Sequence, residues 1–257
     1  MVRDSSETGG AASVRGSVTR ALAILTGFGG TSDDLRLSDI ARTAGLSPST
    51  THRLLTALVD EGFLVQDPAS ERYRLGPTVL VLGQRAAEQA GFERARPVLA
   101  ALAERTGESV SLAVPAGRQV VVVMLIPSKH PLRFDHGVGS AIAIHASAMG
   151  KALLAFGSDD AVAEVFASGS PERFTERTIV SAKRLGSDLA AIRQRGWAVN
   201  DEERYDGVTG VAAPVLGAEG LARAAIGVQG PTARLLAIGV DALGALVRAA
   251  ADELAGA

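Results

Sequence analysis

The 257-residue sequence has no cysteine, only three lysines and no apolar run long enough to cross a bilayer. Without cysteine there is no disulfide framework, no thiolate zinc site and no cysteine nucleophile, and a reducing compartment is expected. A membrane span needs about 20 apolar residues in a row. The first 17 residues also lack the apolar centre of a signal peptide. We therefore expect a soluble, cytoplasmic protein.

Neither sign of charge is in excess. The chain has 26 Lys and Arg against 28 Asp and Glu, which gives a formal net charge of −2. A broadly cationic surface is therefore excluded, and composition alone argues against a nucleic-acid partner. The hydrophobic fraction of 47% is enough for ordinary cores, and the length predicts one or two domains of roughly 100–200 residues each.

Local signals in the first third of the chain predict a small helical domain with a hairpin. Gly45 can adopt the left-handed conformation at a helix end, and Ser47 with Pro48 can cap and begin the next helix. Helix, short helix, glycine turn, capped helix and hairpin are the order of a winged helix-turn-helix domain. The sequence predicts a tail at 1–16, helices at 17–28, 37–44 and 48–61, strands at 63–65 and 72–75, and a linker helix at 78–90.

The third predicted helix has an apolar face and a polar face. Thr51, Leu54, Leu55 and Leu58 would pack inward, while the outer face carries small hydroxyls and one arginine. A recognition helix presents its N-terminal residues to base edges, where arginine reads guanine and hydroxyls contact bases or phosphates. The candidate DNA-binding residues on the two helices and the hairpin are Ser38, Ser47, Ser49, Thr50, His52, Arg53, Thr56, Arg72 and Arg74.

From residue 92 onward, helical periodicity alternates with β-branched runs. Helices that flank an antiparallel sheet indicate an α+β domain, and Pro115-Ala116-Gly117 is typical of the turn between its first two strands. Helices are predicted at 92–106, 147–156, 185–195 and 237–254, and strands at 109–114, 119–126, 141–144, 197–199, 211–215 and 222–228.

Several catalytic or cofactor chemistries are incomplete in this sequence. Gly150-Lys151 lacks the rest of a phosphate loop, Gly137-Val138-Gly139 lacks the third glycine of a dinucleotide fingerprint, and no Gly-x-Ser-x-Gly elbow occurs. The residues that could bind a metal have no helical His-x-x-x-His spacing and include no cysteine, so no metal and no cofactor are expected. Its candidate members are His130, Asp135, His136 and His145.

The acidic run Asp201-Glu202-Glu203 has two interpretations. The three carboxylates are either catalytic groups or part of a turn or strand edge that pairs with nearby arginines. The second interpretation is favoured because no nucleophile and base accompany the run.

Three segments resemble the IclR family of bacterial transcription regulators: 37–75 with its Gly-Leu-Ser-Pro-Ser-Thr-Thr-His-Arg core, 145–155 with Gly150-Lys151, and 195–215 with the acidic run. The resemblance covers about residues 17–255. It implies a winged helix-turn-helix domain at 17–76, a linker helix at 77–91 and a GAF-like effector-binding domain at 92–257, whose antiparallel sheet is flanked by helices.

The resemblance also implies an effector pocket in the second domain. Its departures from the family pattern, such as Gly210 for Cys, Gly227 for Ser and Asn200 for Asp, imply a reshaped pocket. Backbone N–H groups at the start of the helix after Ser147 suit a carboxylate, and the amides of Asn200 and Gln229 can donate and accept. The implied pocket residues are Phe134, Ala148, Met149, Asn200, Val208, Gly210, Gly227 and Gln229.

The implied protein is a ligand-responsive repressor, not an enzyme, with operator DNA, a small carboxylate-bearing effector and its own copies as partners, in a homodimer or tetramer. A constitutive DNA-binding protein with a vestigial pocket and an enzyme fused to a DNA-binding head remain alternatives. Residues 1–90 contain nine Arg, no Lys and ten acidic residues. DNA affinity must therefore come from a few placed arginines and from oligomers that engage several half-sites.

Overall fold

The chain separates into two compact units, one ending at Ala90 and one beginning at Gly91. The structure, a computed structural model, describes residues 7–30, 34–92, 94–158 and 160–256. The described part of the first unit contains, in order, α1 (Glu7–Gly27), a 3-10 turn (Phe28–Gly30), α2 (Leu37–Ala44), α3 (Pro48–Asp60), β1 (Leu64–Gln66), β2 (Tyr73–Leu75) and α4 (Pro77–Gln89).

Capping residues set the helix ends of the first unit as the sequence predicts. Gly45 ends α2 in the left-handed region at φ 64°, and the Ser47 hydroxyl accepts a hydrogen bond from the N–H of Thr50 at the start of α3. The strands β1 and β2 pair antiparallel as the predicted hairpin. Apolar side chains from the helices and the hairpin form one core, with Ile24, Phe28, Ile40, Leu55, Leu58, Leu64 and Tyr73 buried.

Helix α1 begins at Glu7, ten residues before the start that periodicity predicts. Residues 7–16 are therefore helical, which corrects the tail prediction, and residues 1–6 lie outside the described part. A helix needs a costly nucleus, but each residue added at its end gains a backbone hydrogen bond. The apolar stripe beginning at Val18 can supply the nucleus, and propagation from it needs no apolar periodicity.

The second unit is a six-stranded antiparallel sheet in the order β5-β4-β3-β8-β7-β6, with helices packed on it. Its elements are α5 (Ala95–Thr106), β3 (Ser109–Ala116), β4 (Gln119–Ile126), β5 (Ala141–Ala143), a 3-10 turn (Ile144–Ala146), α6 (Ala148–Ala155), α7 (Ala161–Phe166), α8 (Ala182–Arg195), β6 (Ala198–Asp201), β7 (Val208–Leu216), β8 (Ala222–Pro231), α9 (Thr232–Ile238) and α10 (Val240–Ala255).

Helices cover the sheet in two groups. Helix α5 packs with α10, and α6 packs with α8, each pair also contacting strands. Alternate residues of the central strands, such as Ala212 and Ala225, join the core around α6. Strands β7 and β8 are buried almost throughout. Their many small side chains allow the helices to pack closely on the sheet.

Three local predictions in the second unit differ from the structure. Pro115 lies within β3, and its pairing with β8 stops at Ala113, so no N–H is required from the proline. The predicted closing helix is divided at Gly239, which has a φ of 94°. The short helix α7 was not predicted, because its six residues are too few for a clear periodicity.

Candidate functional site

Helix α3 buries one face and exposes the other. Thr51, Leu55 and Leu58 are buried against the first unit's core, as the sequence predicts. The polar side chains that the sequence assigns to DNA contact are exposed on this helix at Ser49, His52, Arg53 and Thr56. This exposed set combines a cation, an imidazole and hydroxyls, which are groups that bind base edges and phosphates.

The remaining candidates for DNA contact differ in how free their side chains are. Ser47 and Thr50 bond to each other at the cap, with 2.9 Å between their hydroxyl oxygens. Arg72 is half-buried and donates to the carbonyl of Asp34 at 2.7 Å, so it also braces the loop before α2. Ser38 and Arg74 are exposed.

A cavity of about 30 Å³ lies in the second unit at the beginning of α6. All eight residues that the sequence assigns to an effector pocket line it. Sequence reasoning missed further lining residues, because the direction of their side chains depends on the fold. They are His136, Ser147, Arg204, Tyr205, Thr209 and Val228.

The two side-chain amides at the cavity have different roles. The Nδ2 of Asn200 donates to the carbonyl of Ala146 at 2.9 Å, and its Oδ1 accepts from the N–H of Glu203 at 2.8 Å. Asn200 therefore clamps β6 to the turn before α6, whereas the sequence predicted a group that serves a ligand. Gln229 is 9% exposed, and its Nε2 has no hydrogen-bond partner among the described residues.

Three rings form an aromatic cluster on one side of the cavity, namely Phe134, His136 and Tyr205. The centre of the Phe134 ring lies 5.0 Å from that of His136 and 5.1 Å from that of Tyr205. Asp135, between the first two rings in sequence, accepts a hydrogen bond from the hydroxyl of Ser109 on β3 and so holds this loop to the sheet. Burial and the nearby Arg204 cation lower the pKa of His136 to about 4, so the imidazole is neutral at neutral pH.

The absence of a side chain at Gly227 shapes the cavity wall. The Cγ of Met149 lies 2.8 Å from the place that a Cβ on Gly227 would occupy. A flexible thioether therefore fills the space beside the strand, as methionine often does in irregular gaps. At Gly210 a Cβ would meet Ala148 at an ordinary 3.6 Å. The missing side chain thus matters most at Gly227.

A buried ionic cluster lies close to the cavity. The Lys151 ammonium, 2% exposed on α6, bonds to the carboxylates of Glu203 and Asp188, the latter at 2.8 Å. Burial raises the pKa of Glu203, although the Lys151 ammonium acts against this rise. Because Glu203 precedes Arg204 and Tyr205 in the chain, the cluster fixes the backbone that carries two lining residues. No local pattern in the sequence indicates this pairing.

The acidic run has the structural role that the sequence favours. Asp201 pairs with Arg177 at 2.6 Å, and Glu202 lies 3.9 Å from the same guanidinium. Among the described residues, no group of three or more His, Asp or Glu side chains is arranged to hold a metal ion. In the same part of the chain, no helix combines the length and hydropathy of a membrane span.

A helix-turn-helix with a hairpin in one unit and a lined cavity in the other define the class of two-domain transcription regulators. Comparison with known proteins agrees. The family model described as "IclR helix-turn-helix domain" matches residues 17–68, and "Bacterial transcriptional regulator IclR C-terminal" matches residues 87–255. The chain belongs to the IclR family of ligand-responsive, DNA-binding transcriptional regulators, which confirms the resemblance in its motifs.

Individual relatives are similar over most of the chain. HTH-type transcriptional regulator BhcR of Paracoccus denitrificans is 36% identical, over 87% of this chain and 80% of its own. Transcriptional repressor IclR of Escherichia coli is 31% identical, over 93% and 88%. The crystal structure of an IclR homolog from Microbacterium hydrocarbonoxydans, complexed with 4-hydroxybenzoate, has a TM-score of 0.78 and 24% identity, over 93% of this chain and 98% of that one.

Proposed function

We propose that this regulator is a cytoplasmic repressor that binds operator DNA as a homo-oligomer and responds to a small carboxylate-bearing effector, without an enzymatic step. The observation that carries the proposal is the cavity in the second unit. It is lined by all eight predicted pocket residues, and three of its buried donors have no partner among the residues that the structure describes. The name of the relative in Escherichia coli supports repression, and the homologue with 4-hydroxybenzoate supports an organic acid.

Control by the effector is a shift between populations of the regulator. The effector binds more tightly to the regulator when the linker helix α4 has one particular arrangement, so it favours that arrangement. It therefore also favours one spacing of the DNA-binding domains in the oligomer. For the ligand, the first N–H groups of α6 offer partial positive charge to a carboxylate. The domains remain those of the sequence prediction, with DNA recognition at 17–76, the linker helix at 77–91 and effector binding at 92–257.

Arg53→Ala tests the recognition helix. We expect binding to the cognate operator to weaken by about 1–3 kcal/mol, because a bidentate arginine–guanine contact contributes that much discrimination. Fluorescence anisotropy on an operator fragment, located by footprinting upstream of the chain's own gene, measures the change. Arg184→Ala is the matched control, since Arg184 is exposed on α8 of the other unit. Unchanged operator binding by Arg53→Ala would remove Arg53 from the interface.

The first unit exposes apolar side chains that suit a homodimer contact. Leu80 and Val81 of α4 are 77% and 60% exposed, and Leu22 of α1 is 56% exposed. Isolated surface leucines are common, but several on two helices of one small domain favour burial against a second copy. Oligomerisation also compensates for the lack of positive charge, because binding two linked half-sites raises the affinity of a weak single contact by roughly 10²–10⁴-fold.

Leu80→Glu tests this contact. The charged side chain opposes burial of α4 in a dimer, so we expect sedimentation to show more monomer and operator affinity to fall by roughly 100-fold or more, as avidity is lost. Leu236→Glu is the control, because Leu236 is similarly exposed, at 56%, on α9 of the second unit. A Leu80→Glu protein that keeps the wild-type assembly and operator affinity contradicts the proposed contact.

A constitutive DNA-binding protein with a vestigial pocket is the alternative. A thermal-shift screen of small organic acids and aromatic acids separates the two. Stabilisation by an acid that also alters operator binding supports ligand control. Intact operator binding with no stabilising acid favours the vestigial pocket.

A further inference from the structure

Two cavity-lining side chains have buried donors without partners in the described structure. They are Nε and Nη1 of Arg204 and Nε2 of Gln229. A buried donor left unpaired costs about 1–3 kcal/mol, and more if it is charged. Among the described residues, these three donor atoms have no acceptor, so a ligand that carries acceptor oxygens would satisfy them.

The neighbours of Arg204 stabilise its charge without satisfying its N–H groups. The guanidinium carbon lies 4.3 Å from the centre of the Phe174 ring and 5.4 Å from that of Tyr205. Ring faces attract a cation, but they are poor acceptors for its N–H groups. No acidic residue of the described chain forms a salt bridge with Arg204, since the adjacent Glu203 pairs with Lys151 and Glu202 lies near Arg177.

We propose that Arg204 selects the charge of the effector by pairing with its carboxylate, while Gln229 binds a second acceptor oxygen of the same molecule. This inference rests on the proposed effector-binding role of the cavity. A guanidinium matches a carboxylate in geometry and charge. The cavity is small, at about 30 Å³, and it offers one cation and one neutral donor. We therefore expect a compact ligand with a carboxylate and one further oxygen, as in a hydroxy or oxo acid of a few carbons.

The test uses three probes of similar size, namely lactate, its uncharged amide lactamide, and propionate, which lacks the hydroxyl. Isothermal titration of the full-length chain at constant ionic strength measures their binding. We expect the wild type to bind lactate more tightly than propionate and to discriminate against lactamide. Arg204→Gln should weaken lactate binding by roughly 10- to 100-fold, the loss typical of a charged hydrogen bond, and remove the preference over lactamide.

Two further variants separate charge from structure. Arg204→Lys keeps the cation and should retain part of the preference for lactate over lactamide. Gln229→Ala should lose only the preference for lactate over propionate. Melting curves of each variant verify folding. Wild-type lactate affinity in Arg204→Gln, equal binding of lactate and lactamide by the wild type, or no binding of either acid overturns the proposal.

Operator binding separates this inference from the proposed function. Lactate that binds through Arg204 and leaves operator affinity unchanged supports the role of Arg204 and contradicts ligand control. An uncharged compound that alters operator affinity, with no binding of either acid, supports ligand control and overturns the role of Arg204.

Discussion

Replacing Lys151 with methionine is expected to lower the free energy of unfolding of the second unit by about 3–5 kcal/mol, the usual cost of removing one partner of a buried ion pair. The Lys151 ammonium is the counter-charge for Glu203, which is 5% exposed. Without it the Glu203 carboxylate is buried and uncompensated, while Asp188 keeps partial solvent contact. Denaturant unfolding, followed by the fluorescence of the single tryptophan Trp197, measures the loss.

The loss of unfolding free energy in Lys151→Met should depend on pH. Burial raises the pKa of Glu203 in the folded protein, and loss of Lys151 raises it further. A carboxyl that binds its proton more tightly when folded destabilises the fold as pH rises from the unfolded pKa toward the folded one. We therefore expect a smaller deficit at about pH 5 than at about pH 8.

Two comparisons isolate the ion pair. Lys183→Met removes an exposed lysine of α8 and should change stability by no more than about 0.5 kcal/mol. Adding Glu203→Gln to Lys151→Met removes the uncompensated charge, so the double variant should recover part of the loss and show coupling between the sites. Equal stability of Lys151→Met and the wild type would contradict the role given to this pair.

Gly150→Ala is expected to destabilise the second unit by about 3 kcal/mol or more, at the upper end for overpacking. A Cβ at Gly150 would overlap the backbone carbonyl of Ile144, in the 3-10 turn just before α6. Backbone cannot rotate away as a side chain can, and every residue of α6 is buried. The helix or the turn must shift, and with it the beginning of α6 at the cavity, so effector binding should also be lost.

A second helical glycine provides the matched control. Gly186 lies within α8, where a Cβ would meet nothing within 4 Å. Gly186→Ala should therefore stabilise the second unit by roughly 0.5–1 kcal/mol, because alanine lowers the entropy of the unfolded chain and favours helix. Thermal unfolding of both variants tests the pair. Equal melting temperatures for Gly150→Ala and Gly186→Ala would show that the carbonyl of Ile144 can move aside.

Elements of the first unit were largely predictable because their signals are local. Gly45, Ser47 and Pro48 act within one or two turns of the residues that they cap, and a hairpin depends on its own turn. The predictions were wrong where long-range strand pairing or helix propagation set the bounds of an element. Pro115 lies within a strand because it pairs with Val120 of β4, and a proline is tolerated there because the pairing of β3 with β8 stops at Ala113. No local signal shows either pairing.

Candidate pocket residues followed from family motifs, but their roles did not. Asn200 and Gln229 carry the same amide group, yet Asn200 bonds within the protein through both ends, while the buried Nε2 of Gln229 has no partner among the described residues. Arg204 directly follows three acidic residues in the sequence. In the structure those neighbours bond elsewhere, and the guanidinium lies against rings at the cavity.

The sequence by itself determined the order of elements, the caps of the DNA-recognition helix, the family and the low positive charge from which we predict that oligomers bind the operator. Such properties depend on residues close in the chain or on composition. Tertiary structure alone decided which polar groups satisfy one another, because Lys151 and Glu203 are 52 residues apart and meet only after the sheet and α6 pack. The donors on Arg204 and Gln229 that have no partner in the part of the chain that the structure describes mark where a ligand is expected.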